Sequence, residues 1–238
     1  MSNLKSAFSQ GLFQQSSTKM ERLGTLRVEA DGRKFRYGKA GAAIGAGKNT
    51  SAAIAVANHI TLTMPAAYAV GKTQLSITVG NTAVTADQYA DGFLLVNDST
   101  GAGYQYRIDS NTACAGNGTT IVQLAEPLVV ALSATSVVSL IPNEWSSVIV
   151  NANATDSPAG CAVRDMTSAY YGWFQTGGNG VYLSDGTPAV GQMLVLSSTD
   201  GALEVGNSTY ASTEPIVAIG SAVVGIDGKY KSCKYLID

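Results

Sequence analysis

A chain of 238 residues with only 13% charged side chains and 45% apolar ones is globular, not disordered, and can bury roughly 70% of its unfolded surface without a staple. The three cysteines, Cys114, Cys161 and Cys233, have no CxxC spacing and leave one over, which argues against a disulfide framework or zinc cluster and for small buried thiols in a reducing compartment. The net charge of −2 hides an uneven distribution: residues 1–48 carry nine basic side chains against three acidic ones, and the remainder carries six against fourteen.

Residues 1–20 are polar and rich in glutamine and serine, which reads as an extended arm or one short helix. They lack a continuous apolar core followed by a small-residue cleavage site, so no secretory leader is expected. Leu26, Val28, the Asp31-Gly32 turn, Phe35 and Tyr37 give a β-hairpin signal, since Asp-Gly tolerates the positive φ of a two-residue turn. Residues 40–58, rich in alanine and glycine, read as a loop or short helix. His59–Met64 (HITLTM) then alternates strictly, as a strand does.

From Leu75 a run of short strands follows: LSITV, AVTA, GFLLVN, GYQYRI, TTIVQL, LVVAL and SVVSLI, spaced by about 8–12 residues as in a sandwich or small barrel. Pro142 and Asn143 close this run, and WSSVIVN opens a second β segment that continues through MLVLS to PIVAIGSAVVGI. The expected fold is therefore mostly β, in short-stranded barrel or sandwich units. Its expected divisions are an arm, hairpin and linker over 1–65, a first β domain over 66–142 and a second over 143–238. No apolar run reaches the roughly 20 residues that span a bilayer, and no repeat or heptad points to a solenoid or coiled coil.

Tyr170–Gly186, YYGWFQTGGNGVYLSDG, interleaves aromatic residues with glycines and holds neither histidine nor a basic side chain. Aromatics supply large contact area and glycine permits close backbone approach, so Tyr170, Tyr171, Trp173, Phe174 and Tyr182 read as a buried strand pair or an oligomer interface.

Catalytic constellations are scarce. His59 is the sole histidine, and no nucleophile elbow accompanies it. Gly41–Thr50 (GAAIGAGKNT) misses the phosphate-loop pattern twice, at Ala42 and Asn49, and reads as a flexible linker. Asp98, Asp109, Asn111 and Asn117 are turn residues without a calcium-loop spacing, so neither metal nor cofactor is expected. The basic front lacks a nucleic-acid-binding motif, and docking to an acidic protein surface fits it better.

The linear order of RLGTLRVEADGRKFRYGKAGAA (22–43), DGFLLVNDSTGAGYQYRI (91–108), EPLVVAL and VSLIPN (126–143) and AYYGWFQTGGNGVYLSDGTPAVGQMLVLSSTDGAL (169–203) resembles the head decoration, or cement, proteins of tailed bacteriophages. The resemblance covers about three quarters of the chain. Where such relatives continue with Gly-Pro-Ala, this chain has Gly177-Gly178-Asn179-Gly180. It implies a non-catalytic virion protein, assembled in the host cytoplasm onto the capsid surface, with the major capsid protein as partner and a homotrimer as association state. On that reading Arg22, Arg27, Arg33, Arg36, Phe35 and Tyr37 are the capsid-contact candidates. Two rival readings rest on other residues. One is a receptor- or glycan-binding module of the phage head or tail, with Trp173, Tyr171 and Tyr182 as a sugar platform beside Gln175 and Asp185. The other is a hydrolase built on His59 and an aspartate.

Overall fold

The computed structural model describes residues 7–206, 214–221 and 226–238. Among them there is no α-helix, and the fold is mostly β, as expected. The chain forms two compact units, and the division is not the expected one: residues up to Ala53 join those from Glu144 onward, while Ile54–Asn143 forms the second unit. The segment read as a separate arm, hairpin and linker is thus part of the unit built by the C-terminal residues. The amide of Ala53 donates to the carbonyl of Glu144 at 2.9 Å, so the chain leaves and re-enters the first unit at neighbouring points.

The first unit starts with β1 (Leu26–Val28), β2 (Lys34–Lys39) and β3 (Asn49–Ser51). The inserted unit holds a 3-10 turn (Ala57–His59) and β4 (Leu62–Thr63), β5 (Gln74–Thr78), β6 (Phe93–Asp98), β7 (Gln105–Asn111), β8 (Thr119–Leu124) and β9 (Val137–Ile141). The first unit resumes with β10 (Ile149–Val150), β11 (Pro158–Ala162), β12 (Tyr171–Ser184), β13 (Met193–Leu196), β14 (Ala202–Val205), β15 (Ile216–Gly220) and β16 (Tyr230–Leu236).

In the inserted unit the order β4-β9-β6-β7-β8-β5 is antiparallel throughout. The apolar alternation read in the sequence is the burial alternation: Leu75 and Ile77, Leu94 and Val96, Tyr106 and Ile108, Val122 and Leu124, and Val138 and Leu140 all point into one core. Three expected strands are reduced. HITLTM keeps only Leu62–Thr63, because Thr61 sits at φ 51° and breaks the extended run. AVTA and LVVAL contribute single bridges, Val84 to Cys114 and Leu132 to Tyr68.

The hairpin forms with Leu26 opposite Arg36 and Val28 opposite Lys34. Its loop is longer than the expected two residues. The Glu29 amide still pairs with the Arg33 carbonyl, leaving Ala30, Asp31 and Gly32 outside, with Gly32 at φ 84°. GAAIGAGKNT is not a flexible linker either: Ile44 bridges Met166, and the segment runs into β3, whose Asn49 and Thr50 are buried.

β12 organises the first unit. It is one 14-residue strand, not the expected strand pair. Its first half pairs with β2 from Tyr171 opposite Lys39 to Gly177 opposite Lys34, with β11 across Gln175 and Phe174. Its second half pairs with β16, from Gly177 opposite Leu236 to Leu183 opposite Tyr230. From β16 the pairing continues through β15, β13 and β14, and β14 returns in parallel to β12 at Leu183 and Ser184. These strands close a small barrel filled by Tyr182, Leu194, Leu196, Leu203, Val217 and Tyr235. β12 passes from open sheet to barrel through TGGNG. Gly178 lies at φ 77°, with a would-be Cβ 2.9 Å from the Arg33 backbone, and at Gly180 a Cβ would come within 2.7 Å of the Tyr235 ring. PIVAIGSAVVGI keeps Ile216–Gly220 as β15, and its residues 222–225 lie outside the described residues.

Candidate functional site

The aromatic strand is buried because both its faces are covered. Successive strand residues point to opposite faces, so Trp173 joins Phe35 and Tyr37 on one side, and Phe174 packs with Trp145 on the other. Trp173 is 0% exposed and Tyr182, in the barrel interior, 1%. Tyr170 and Tyr171 are partly exposed, and Tyr171 stacks on Tyr37 with centroids 6.1 Å apart. Trp173, Phe174 and Tyr182 are therefore core, and any assembly of copies must use other surface. Trp173, Tyr171 and Tyr182 do not form one sugar platform. The polar groups proposed beside it are also engaged: Gln175 Nε2 donates to the carbonyls of Gly177 and Asn179, and Asp185 accepts from the hydroxyls of Ser197 and Thr199, which hold its carboxyl below the usual range.

What covers Trp173 is the N-terminal segment, and its central residue is Gln10, which the sequence reading missed. The Gln10 carbonyl accepts from Trp173 Nε1 at 3.1 Å and from an Arg27 terminal nitrogen at 3.2 Å. Its side chain donates to the carbonyls of Gln14 and Tyr171 and accepts from the Tyr37 hydroxyl at 2.8 Å. Phe8 meets Trp173 edge to face at 5.1 Å, and the Arg27 guanidinium lies 5.0 Å from the Phe8 centroid and 5.5 Å from Trp173. A glutamine in a polar segment carries no signal of this role. Only its placement over the strand creates one.

The capsid-contact candidates separate by environment. Phe35 and Tyr37 are fully buried, which corrects their reading as surface contacts: inward positions of a hairpin strand are packed by the strand's own neighbours. Arg27 pairs with Glu29 at 2.5 Å and Arg33 with Asp31 at 2.7 Å. Arg36 grips Asp238 through two bonds of 2.8 and 2.7 Å and also donates to the Gly24 carbonyl. Arg22 is exposed.

His59 is fully buried in the inserted unit. Its Nε2 donates to the Thr82 carbonyl at 2.9 Å and its Nδ1 accepts from the Tyr89 hydroxyl, so each ring nitrogen is occupied by a packing partner and neither by a carboxylate. The cleft that the hydrolase reading needs around His59 is not built. Cys161 and Cys233 are buried, and burial pushes both thiols up to about 12, far from the thiolate that nucleophilic chemistry requires. Among the described residues no group of His, Cys, Asp or Glu could hold a metal ion, and no helix is long and apolar enough to cross a membrane.

The first unit carries, among the described residues, a groove of about 600 Å³. Its floor is the Cys161–Val163 strand segment beside Gln175 and Gly180. Phe13, 61% exposed, and Arg33 form part of its wall, with Val181, 49% exposed, and Tyr230, 53% exposed, on the barrel side. The Phe13 carbonyl is held by Arg164 at 2.8 Å, and the Tyr230 ring lies against Gly47, where a Cβ would come within 2.5 Å of it. Cys161 donates its thiol proton to the Val181 carbonyl at 3.3 Å. No local pattern signals the groove, because Phe13, Val181 and Tyr230 lie far apart in the chain.

Comparison with protein-family models, with curated proteins and with solved structures returned no match.

Proposed function

We propose that this chain is a non-catalytic structural protein of a tailed-bacteriophage virion, of the head-decoration type, binding the outside of the capsid and bridging neighbouring subunits. The observation that carries the reading is how the chain spends its chemistry-bearing side chains. His59 and Cys233 are closed into packed interiors and Cys161, at the floor of the groove, is 3% exposed with its thiol donating to a carbonyl, while exposed Phe13, Val181 and Tyr230 and the cation Arg33 line that groove. Such a molecule is equipped to bind, and the order of its segments resembles that of decoration proteins. A cement protein acts by mass action: it binds the assembled shell and not its dissociated subunits, so occupancy shifts the equilibrium toward the shell. Repetition over symmetric sites lets modest contacts suffice.

Electron cryo-microscopy of the virion encoded with this chain tests the reading. Density for both β units on the capsid exterior, spanning a subunit boundary, is the expected result. Density confined to the tail, or a virion without the chain, overturns it.

A further inference from the structure

We infer that the groove between Phe13 and the barrel is a docking site for an extended acidic segment of a partner protein, which seats one large apolar side chain and sets a neighbouring carboxylate on Arg33. This rests on the reading of the chain as a binding protein and names the partner chemistry of one surface.

Three observations carry it. First, the lining is apolar and exposed where a ligand would touch it: Phe13, Val181 and Tyr230 stand open to solvent at the rim, a costly arrangement unless something covers them. The volume of about 600 Å³ lies within the range of small-ligand pockets and accommodates a large side chain with its adjoining backbone. Second, the charged side chain in the lining is a cation, while the nearest carboxylates, Asp31 on Arg33 and Asp165 on the Ala46 amide at 2.8 Å, are already engaged. Arg33 lines the groove and no aspartate or glutamate does. Arg33 gives its Nε to Asp31, whose side chain is exposed, so that bond is worth little and leaves the terminal guanidinium nitrogens for another carboxylate. Lys234, exposed and in register opposite the lining residue Asn179, adds a second cation beside the groove. Third, the walls are preformed. Arg164 fixes the Phe13 backbone, and Gly47 and Ala162 are tied by the Gly47 amide to the Ala162 carbonyl at 2.8 Å, so little ordering cost attends binding.

A sugar fits the groove less well. Recognition of hydroxyls needs free donors and acceptors, and the Gln175 amide and the Cys161 thiol already donate to carbonyls of β12.

The test is a titration of the full chain with acetyl-Asp-Trp-amide, with acetyl-Asn-Trp-amide and maltohexaose as comparisons, followed through backbone amide resonances. The acidic dipeptide is expected to shift Ala46, Gly47, Val163, Gly180 and Val181 and to bind about two- to fivefold more tightly than the neutral one, the range of an exposed ion pair. Arg33→Gln should erase that difference while leaving apolar binding, and Val181→Asp should abolish binding of both dipeptides. Each variant is compared only where its amide spectrum away from the groove matches the parent. Groove amides unmoved at millimolar dipeptide, equal affinity for the two dipeptides, or a response to maltohexaose in place of the dipeptides overturns the inference. A virion map without the chain would overturn the virion reading and leave these resonance shifts untouched, so the two failures are distinguishable.

Discussion

The inserted unit and the unit that flanks it obey different rules of assembly. In the inserted unit, β6, β7 and β8 pair in sequence order, and each strand shows one face to the core, so apolar and polar residues alternate along it. In the flanking unit the first half of β12 is covered on both faces, and the strand pairs with three others besides β11's single stretch: β2 from early in the chain, then β16 and β14 from its end. Its burial is continuous from Gly172 to Gly177, so no alternation marks that half of the strand. A locally paired sheet announces itself by period, whereas a strand shared between an open sheet and a closed barrel announces only its apolar content.

The two units should respond most strongly, and separately, to loss of a central side chain in each. Trp173→Ala removes the residue that Phe8, Tyr37 and the Gln10 carbonyl surround, and should cost about 3–5 kcal/mol. Leu94→Ala, in the core of the inserted unit, should cost about 2–5 kcal/mol. Hydrogen exchange measured on both variants should show protection lost chiefly in the unit that carries the substitution. Uniform loss across the chain in both would show that the two units unfold as one.

A smaller effect tests whether the N-terminal segment belongs to the flanking unit energetically as well as geometrically. Tyr37→Phe deletes the hydroxyl that donates to Gln10 Oε1 and accepts from the Met20 amide, leaving a buried glutamine oxygen short of a partner. The expected cost is about 1–3 kcal/mol, with faster proteolysis between residues 7 and 20. Unchanged cleavage there would mean the segment is held by its apolar contacts alone.

The smallest effect concerns the Arg36–Asp238 pair. Arg36 is the main cause that holds the Asp238 carboxyl below its ordinary 3.8, assisted by Thr176 and Lys34. A carboxyl depressed in the folded state contributes stability above its unfolded value and loses it as pH falls through the folded value. Asp238→Asn should therefore lower stability by up to about 1 kcal/mol at pH 7, since the pair is partly solvent-exposed, and the gap should close on acidification below 3.8. Denaturant titrations from pH 7 downward read this directly, and a gap that does not narrow as pH falls below 3.8 would assign the loss to packing.

Legibility in the sequence followed the same division. Leu75 and Ile77, or Leu94 and Val96, could be assigned to a core because alternation in one strand is a local property. The hairpin was legible from Asp31-Gly32, though its exact loop length depended on whether Glu29 and Arg33 would pair. Phe35 and Tyr37 were misread as contact residues because alternation says which side chains share a face and not whether that face is later covered. Here it is covered by Gln10 and Phe8, from a segment whose composition suggested a free arm.

Local pattern is enough to make this protein mostly β, to say where its aromatic mass lies and to place most short strands of the inserted unit, since period, turn chemistry and side-chain volume are written locally. Tertiary structure alone decided that β12 is one strand and not two, that residues up to Ala53 belong with those after Glu144, and that Phe13, Val181, Tyr230 and Arg33 share a groove. The physical reason is that pairing partners, strand closure and surface concavities depend on residues far apart in the chain, whose meeting is fixed by the total burial of the fold and not by any neighbouring pattern.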